Sequence, residues 1–576
     1  MAQSRARGTR RVWVPAALFG LGALVVVARL VQIQVLEHDV HAAQARAEQG
    51  AVDVLYGRRG AILDRNGNVL AATVDTWDIY VSARAWRDPD AAFRASTVLA
   101  TTLKLDAAIL RGRVAEKGSG DLLVARDVPY QVGKALLDQG LPGVNGLENI
   151  ARINPDGDVG ASLLGFIGAD NTGLAGVEAS LNDILQGKPG RAIYERDTAG
   201  DPIPFGRFIA EPPVPGKDVI LTIDRYLQRM AESELERAIR EHRAKGGTII
   251  IMDPHTGEVL ALASAPGLKY STLDYENPDL SLLKNRAVTD LYEPGSIMKV
   301  VTAAAAIDAG VVTPDTWYVD TGQVEIGDAL IKNWEGRSYG SQSMTGVLQH
   351  SINTGSIFMA TKLGASRFHD YLTRFGFGKT TGIELNGEAG GIYRRPGDAG
   401  WTMVDLATQS FGQAITTTPI QMVAAIAAVI NGGQVIRPHL VKATVDAAGR
   451  RTETPVTVVG RAISEETSAR LREMLEAVVN PGFPHNGKPK QYTAGGKSAT
   501  ANVPVINGYD DTQIAAFTGF APADNPRLVV LVKIDENADL MTGTDAAGPV
   551  VARILDNALN YLNVPPDDTA WVEARR

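Results

Sequence analysis

The chain has 576 residues, 45 % of them hydrophobic and 21 % charged, which is enough apolar material for several globular cores. Its 65 acidic residues outnumber 57 basic ones for a net charge of −8, which argues against nucleic acid as the main partner. There is no cysteine, so thiolate catalysis, iron–sulfur clusters, Cys-ligated zinc and disulfides are excluded. The histidines form no H-E-x-x-H pattern, and neither a metal nor an organic cofactor is expected.

Arg5, Arg7, Arg10 and Arg11 precede an uncharged apolar run from Val12 to Ala28. Arg29 interrupts it, and Leu30 to Leu36 is uncharged again. Residues 12–36 are therefore expected to cross about 30 Å of hydrocarbon, with Arg29 snorkelling to the far interface. Positive charge before the span predicts a cytoplasmic tail at 1–11 and an extracytoplasmic location for everything after Leu36. The alternative is a cleaved signal peptide with Ala43-Gln44-Ala45 as its processing site. The apolar run outlasts the usual h-region of about 7–15 residues, which favours an uncleaved single-pass anchor.

Asn66-Gly67, between two short apolar runs, signals a type I′ hairpin. From there to about Ala210 the chain mixes short helices, glycines and acidic turns, and reads as an extended pedestal module over 37–215. Pro212-Pro213-Val214-Pro215-Gly216 punctuates the chain as a linker. Leu227 to Ala244 then predicts an amphipathic helix. Thr248–Met252 and Val259–Ala263, joined by Asp253 to Gly257, predict an antiparallel hairpin. Gln491–Pro504, Gln513–Phe520 and Leu528–Ile534 predict three more strands, and Pro549 to Leu562 a last helix. Strands at both ends of a mostly helical stretch imply one sheet closed by non-local pairing. The fold class is thus α+β or layered α/β/α, over a domain at 216–565 with a short tail at 566–576.

Three short motifs carry chemistry. In the first, Pro294-Gly295 breaks the chain, Ser296 opens a helix, and Lys299 follows one turn later on the same face. A lysine can act as base toward a serine if burial and neighbouring cations depress its pKa, and the alanine run at 303–306 suggests that burial. The second motif is Ser351-Ile-Asn353, a hydroxyl and a carboxamide suited to relaying a proton and holding an amide. The third is Gly495-Gly496-Lys497-Ser498-Ala499-Thr500, on an extended segment whose small residues allow a substrate backbone to lie alongside as an added strand. Each pattern recurs elsewhere: Ser281-Leu-Leu-Lys284 and Lys379-Thr380-Thr381-Gly382 read as surface loops, and Ser180-Leu-Asn182 lies far upstream. Neither Lys497 nor Lys379 sits in a phosphate-binding loop, since the first glycine is missing.

S-x-x-K, S-x-N and K-[ST]-G in this order resemble the signature of the penicillin-binding proteins and serine β-lactamases. Over nearly its whole length the chain resembles a class B penicillin-binding protein of the division and sporulation branch. Arg58 to Gly67 is similar to that family's segment after the anchor, and Gly173-Leu-Ala-Gly176-Val-Glu178 to a pedestal motif. Leu221-Thr-Ile-Asp224 is similar to the start of the transpeptidase domain, and Phe411-Gly412-Gln413 through Gly433 to its helical lobe.

The resemblance implies a D,D-transpeptidase with a mainly antiparallel sheet flanked by helices. Ser296 would attack the D-Ala-D-Ala carbonyl of a peptidoglycan stem peptide, with Lys299 as base and Ser351 passing the proton to the leaving amine. Asn353 would hold Lys299 and the acyl amide. Lys497 and Ser498 would bind the terminal carboxylate, and the N–H groups of Ser296 and Thr500 would form the oxyanion hole. It also implies lipid-linked nascent glycan as substrate, β-lactams as covalent inhibitors, and a polytopic SEDS-family glycosyltransferase with other division proteins as partners. Ala499 departs from the family's usual glycine; a positive φ there would strain the strand, whereas ordinary β geometry accepts a methyl group. A D,D-carboxypeptidase, a β-lactam hydrolase or sensor, and a catalytically decayed scaffold remain alternatives, with Glu178-x-x-x-Asn182 the only spacing that hints at a hydrolytic base.

Overall fold

Runs of β-branched and aliphatic residues at both ends of the C-terminal region build its central sheet, and a computed structural model of the chain places them. It describes residues 6–39, 50–55, 57–196, 202–275, 277–479, 486–505, 508–568 and 573. Arg5, the Ala43-Gln44-Ala45 stretch and most of the tail after 565 lie outside the described residues. The chain divides into two units: Met1–Arg58 with Gly187–Pro215, and Arg59–Gln186 with Gly216–Arg576.

In the first unit, a helix over Ala6–Val31 runs into a π-helical turn at Gln32–Leu36. Its Trp13–Leu36 portion is long and apolar enough to cross a membrane, and its large side chains are exposed, Phe19 at 85 %. Strands Gly50–Leu55, Gly190–Arg196 and Pro202–Glu211 form a three-stranded antiparallel sheet in that order.

In the second unit, the long strand Val69–Ser82 pairs with Asp121–Pro129 on one side and Val144–Ile153 on the other. Helices Pro89–Leu103 and Ala107–Lys117 cover this part through Ala95, Leu99, Leu110 and Val114. The short strand Ile62–Leu63 pairs antiparallel with Val69–Ser82 and parallel with Asp218–Leu221, which in turn pairs with Val441–Val445. One seven-stranded sheet thus joins segments from both sides of the 212–216 linker.

The turn in its first hairpin is not type I′. Only Gly67 has positive φ, at +86°, and Gly67 N–H donates to the Asp64 carbonyl at 3.0 Å, so Arg65 and Asn66 form a type I turn closed by a glycine bulge. The Asp64 carboxylate accounts for the difference: it accepts from the backbone N–H groups of Asn66 and Asn68, both at 2.8 Å, and holds the wider loop.

A charge cluster around the buried Arg59 and Glu178 ties the same region together. Arg59 Nε donates to Glu178 at 2.6 Å and Arg152 Nε to the other carboxylate oxygen at 2.7 Å. Arg59 also donates to the Asn171 and Glu178 carbonyls and to Asn182 Oδ1. Both members of the Glu178/Asn182 spacing are therefore consumed in holding Arg59, and the repeated Ser180-Leu-Asn182 pattern is structural.

The catalytic layers follow in chain order. Helix α1 (Arg225–Glu241) leads into strands β1 (Gly246–Met252) and β2 (Val259–Ala265). The helices α2 (Met298–Asp308), α3 (Met344–Gln349), α4 (Asn353–Leu363), α5 (Pro419–Ile430) and α6 (Glu465–Val479) come next. Strands β3 (Gly495–Val505), β4 (Gly508–Ala521) and β5 (Leu528–Asn537) precede the last long helix, α7 (Gly548–Tyr561). The sheet order is β2-β1-β5-β4-β3, antiparallel throughout, with β3 at one edge.

Alternation along the strands assigns the two faces. Ile249, Ile251, Phe517, Val530 and Val532 pack with α1 and α7, whereas Ile250, Met252, Ala499, Ala516 and Leu531 pack with α2 and α5. The result is a helix–sheet–helix sandwich in which α2 is wholly internal, every residue from Met298 to Ile307 being buried.

Candidate active site

The nucleophile turn is built by backbone clamping. Gly295 has φ of +53° and its N–H donates to the Gly412 carbonyl at 3.1 Å, while a Cβ on Gly412 would lie 2.1 Å from the Gly295 oxygen. Only glycines permit this approach. Tyr292 and Thr417 exchange backbone hydrogen bonds at 3.0 and 2.9 Å, and the buried Glu293 carboxylate accepts from Ala414 N–H at 2.9 Å. The 410–417 segment thereby fixes the turn from which half-buried Ser296 opens α2 through a short 3₁₀ step.

Lys299 is completely buried in the first turn of α2. Its Nζ donates to the Ser351 carbonyl at 2.5 Å and to Ser351 Oγ at 3.2 Å, and no hydrogen bond joins it to Ser296 Oγ. Ser351 offers two acceptors to one amine, and it does so from a left-handed backbone conformation, φ +56°, in the loop between α3 and α4. Such a conformation is uncommon for a non-glycine residue and is held by its surroundings. Burial, then the positive field of Lys497, pushes the Lys299 amine well below its usual pKa.

Lys497 is also completely buried, and burial pushes its pKa down to about 7. Its Nζ donates to the Ser498 carbonyl at 3.1 Å. Its charge is therefore sensitive to pH near neutrality, and a bound anion would favour the charged form.

Ser498 and Thr500 are half-buried on the edge strand, and Thr500 Oγ1 accepts from Gly543 N–H at 3.0 Å. Ala499 lies in ordinary strand geometry opposite Ala516, outside the positive-φ region, and its methyl is 4 % exposed. A Cβ at position 295 would lie 3.5 Å from both Ala499 Cβ and the Thr500 carbonyl oxygen, so the nucleophile turn abuts β3 at this point.

The structure thus gathers the Ser296 turn, Lys299, Ser351, Lys497, Ala499 and Thr500. It does not bring the Asn353 carboxamide to Lys299: Asn353 Nδ2 donates to the Lys332 carbonyl at 3.0 Å. Lys299 is already occupied by Ser351, and Asn353 begins α4 facing the 332–333 segment. The other sequence matches stay apart. Ser281 Oγ donates to Asp279 at 2.7 Å within a surface turn, and Lys379 lies in a loop outside any strand. The Glu293 carboxylate and the Ser351 carbonyl carry no sequence signal, whereas Gly412 of the clamp lies in the Phe411-Gly412-Gln413 stretch that resembles the family's helical lobe.

A serine one helical turn from a buried amine of depressed pKa, with a relay hydroxyl and an edge strand, can attack a carbonyl bound in extended form. Comparisons with known proteins agree with that chemistry. Residues 247–556 match the penicillin-binding protein transpeptidase domain, and residues 54–221 match the penicillin-binding protein dimerisation domain. Stage V sporulation protein D of Bacillus subtilis is 34 % identical over 520 residues, 88 % of this chain and 79 % of the relative. Peptidoglycan D,D-transpeptidase FtsI of Escherichia coli is 30 % identical over 564 residues, 95 % of this chain and 91 % of the relative. The crystal structure of penicillin-binding protein 2X from Streptococcus thermophilus shares the fold, with a TM-score of 0.77 at 24 % identity, covering 91 % of this chain and 81 % of that one. On the two domain matches and the span of these relatives, the chain belongs to the penicillin-binding protein transpeptidase family.

Proposed function

We propose that the protein is a peptidoglycan D,D-transpeptidase acting in septal cell-wall synthesis. The observation that carries this reading is Lys299: fully buried, depressed in pKa, one turn after Ser296 and hydrogen bonded to Ser351. In the neutral form it takes the Ser296 Oγ proton as Oγ attacks the penultimate D-Ala carbonyl. The N–H groups of Ser296 and Thr500 stabilise the oxyanion, donors of a kind worth about 3–4 kcal/mol each. The C–N bond then breaks, Ser351 returns the proton to the leaving D-Ala amine, and an ester remains on Ser296. An amine from a second stem peptide attacks that ester, forming the cross-link and restoring the serine. Lys497 and Ser498 receive the terminal carboxylate, and Asn353 the acyl amide.

The same chemistry makes the site a target of β-lactams, whose ring carbonyl replaces the D-Ala carbonyl. Residues 12–36 are read as anchor, 37–215 as pedestal and 216–565 as transpeptidase domain, a division supported by the matches to a dimerisation domain over 54–221 and a transpeptidase domain over 247–556. The arginines before the span support a cytoplasmic N-terminus and an extracytoplasmic catalytic domain. The relatives named stage V sporulation protein D and peptidoglycan D,D-transpeptidase FtsI support this reading, and a SEDS-family glycosyltransferase is the partner that the family resemblance implies. Purified protein supplied with nascent glycan should yield dimeric muropeptides. Exclusive release of D-Ala with tetrapeptide monomers would replace this reading by that of a carboxypeptidase.

A further inference from the structure

Residues 317–343 lie between α2 and α3 as two small hairpin pairs, Trp317–Asp320 with Gly340–Ser343 and Gln323–Ile326 with Ala329–Lys332. At their centre is Asp320, only 1 % exposed. Its Oδ1 accepts from Thr354 Oγ1 at 2.6 Å, Asn333 Nδ2 at 2.9 Å and Gly322 N–H at 3.0 Å. Its Oδ2 accepts from Tyr339 N–H at 2.8 Å and Asn333 Nδ2 at 2.9 Å. All of these donors are neutral. Burial alone raises a carboxyl pKa, and here the Thr354 hydroxyl, the two backbone N–H groups and the Asn333 amide overcome it and hold the group ionised.

The carboxylate grips two residues that together start α4. The N-cap of α4, Ile352, has no capping side chain; Asn333 Oδ1 instead accepts from Thr354 N–H at 3.1 Å, a cap supplied from another segment. The neighbouring Lys332 carbonyl receives Asn353 Nδ2 at 3.0 Å. Asn333 therefore caps the helix while Asp320 fixes Asn333, and the acceptor of Asn353 is one peptide away.

We infer that Asp320 is a positioning residue for the reaction: it latches the 317–343 segment to the first turn of α4 and so aims the Asn353 carboxamide at the acyl amide of the bound peptide. This rests on the transpeptidase reading above. The Asp320→Asn substitution keeps the shape but turns an NH₂ group toward donors, so at least one charge-assisted bond becomes a donor–donor contact.

The test is the second-order rate constant for acylation by a fluorescent penicillin, measured on full-length protein in membranes. Wild type, Asp320→Asn, Asn353→Ala and the double variant form one cycle. Asp320→Asn should acylate about tenfold more slowly, the loss expected for one hydrogen bond to a charged group. The double variant should match Asn353→Ala alone, because both changes act through one contact. Thr354→Val, which removes the bond to Asp320 and the 3.3 Å contact with the Tyr318 hydroxyl, should slow acylation by about threefold alone and not at all in the Asn353→Ala background, and it carries the test if Asp320→Asn does not fold. Wild-type acylation in Asp320→Asn, or an equal proportional loss with and without Asn353, would overturn the inference. Failure of the wild type to label at all would overturn the transpeptidase reading instead.

Discussion

Replacing Lys497 by methionine exchanges a fully buried amine for an apolar side chain of similar length. In the folded protein this amine titrates at about 7, against 10.5 for an ordinary lysine. Between those values the unfolded chain binds more protons than the folded one, so wild-type stability rises with pH across the window from about 7 to 10.5. At pH 7 the burden on the folded state is on the order of 4 kcal/mol, and by pH 9 it is about 2 kcal/mol. Lys497→Met removes it. The variant should therefore melt several degrees higher than wild type at pH 7, with the gap narrowing steadily toward pH 10, while losing most of its reactivity toward penicillin. Thermal unfolding of both proteins at pH 7, 8 and 9 reads the effect. A variant less stable than wild type at pH 7, or a gap that does not change with pH, would refute the claim that this charge is held against burial.

Lys497 also sets a pH limit on reactivity: at subsaturating β-lactam, acylation should decline above about pH 7 as the free enzyme loses this charge. A ligand without the carboxylate should lack that decline, and an identical profile for both ligands would separate Lys497 from carboxylate binding. Ala499→Gly should destabilise the edge strand by about 1 kcal/mol, seen in chemical unfolding, without abolishing penicillin labelling. Loss of labelling would mean that the methyl against the Gly295 turn is itself required. Arg59→Ala leaves Glu178 buried with Arg152 as its remaining ion-pair partner among the described residues and should lower stability by about 3 kcal/mol. A change below about 1 kcal/mol in urea unfolding would show that Arg152 compensates.

What could be read from the chain and what could not differ in physical kind. The 248–263 hairpin, the three late strands and both flanking helices follow from local hydrophobic period, and the structure places each within a few residues of the expected bounds. Ser296 and Lys299 are legible as neighbours because three residues make nearly one helical turn. Where Lys299 points is not legible: its partner is a carbonyl exposed by the positive φ of Ser351, a backbone state that no residue type announces for serine. The same holds for Asn353, whose acceptor at Lys332 depends on a carboxylate in a different strand. Asn66-Gly67 marked a turn correctly, but the type was decided by Asp64 taking two backbone N–H groups, a competition the dipeptide rule does not include.

The most direct trial of the whole account is to locate the covalent adduct. Membranes containing the full-length protein are labelled with fluorescent penicillin, digested, and the modified peptide is sequenced by mass spectrometry. The adduct should lie on Ser296, vanish in Ser296→Ala and persist unchanged in Ser281→Ala. Labelling that survives in Ser296→Ala would contradict the assignment of the nucleophile and, with it, the role given to the buried amine beside it.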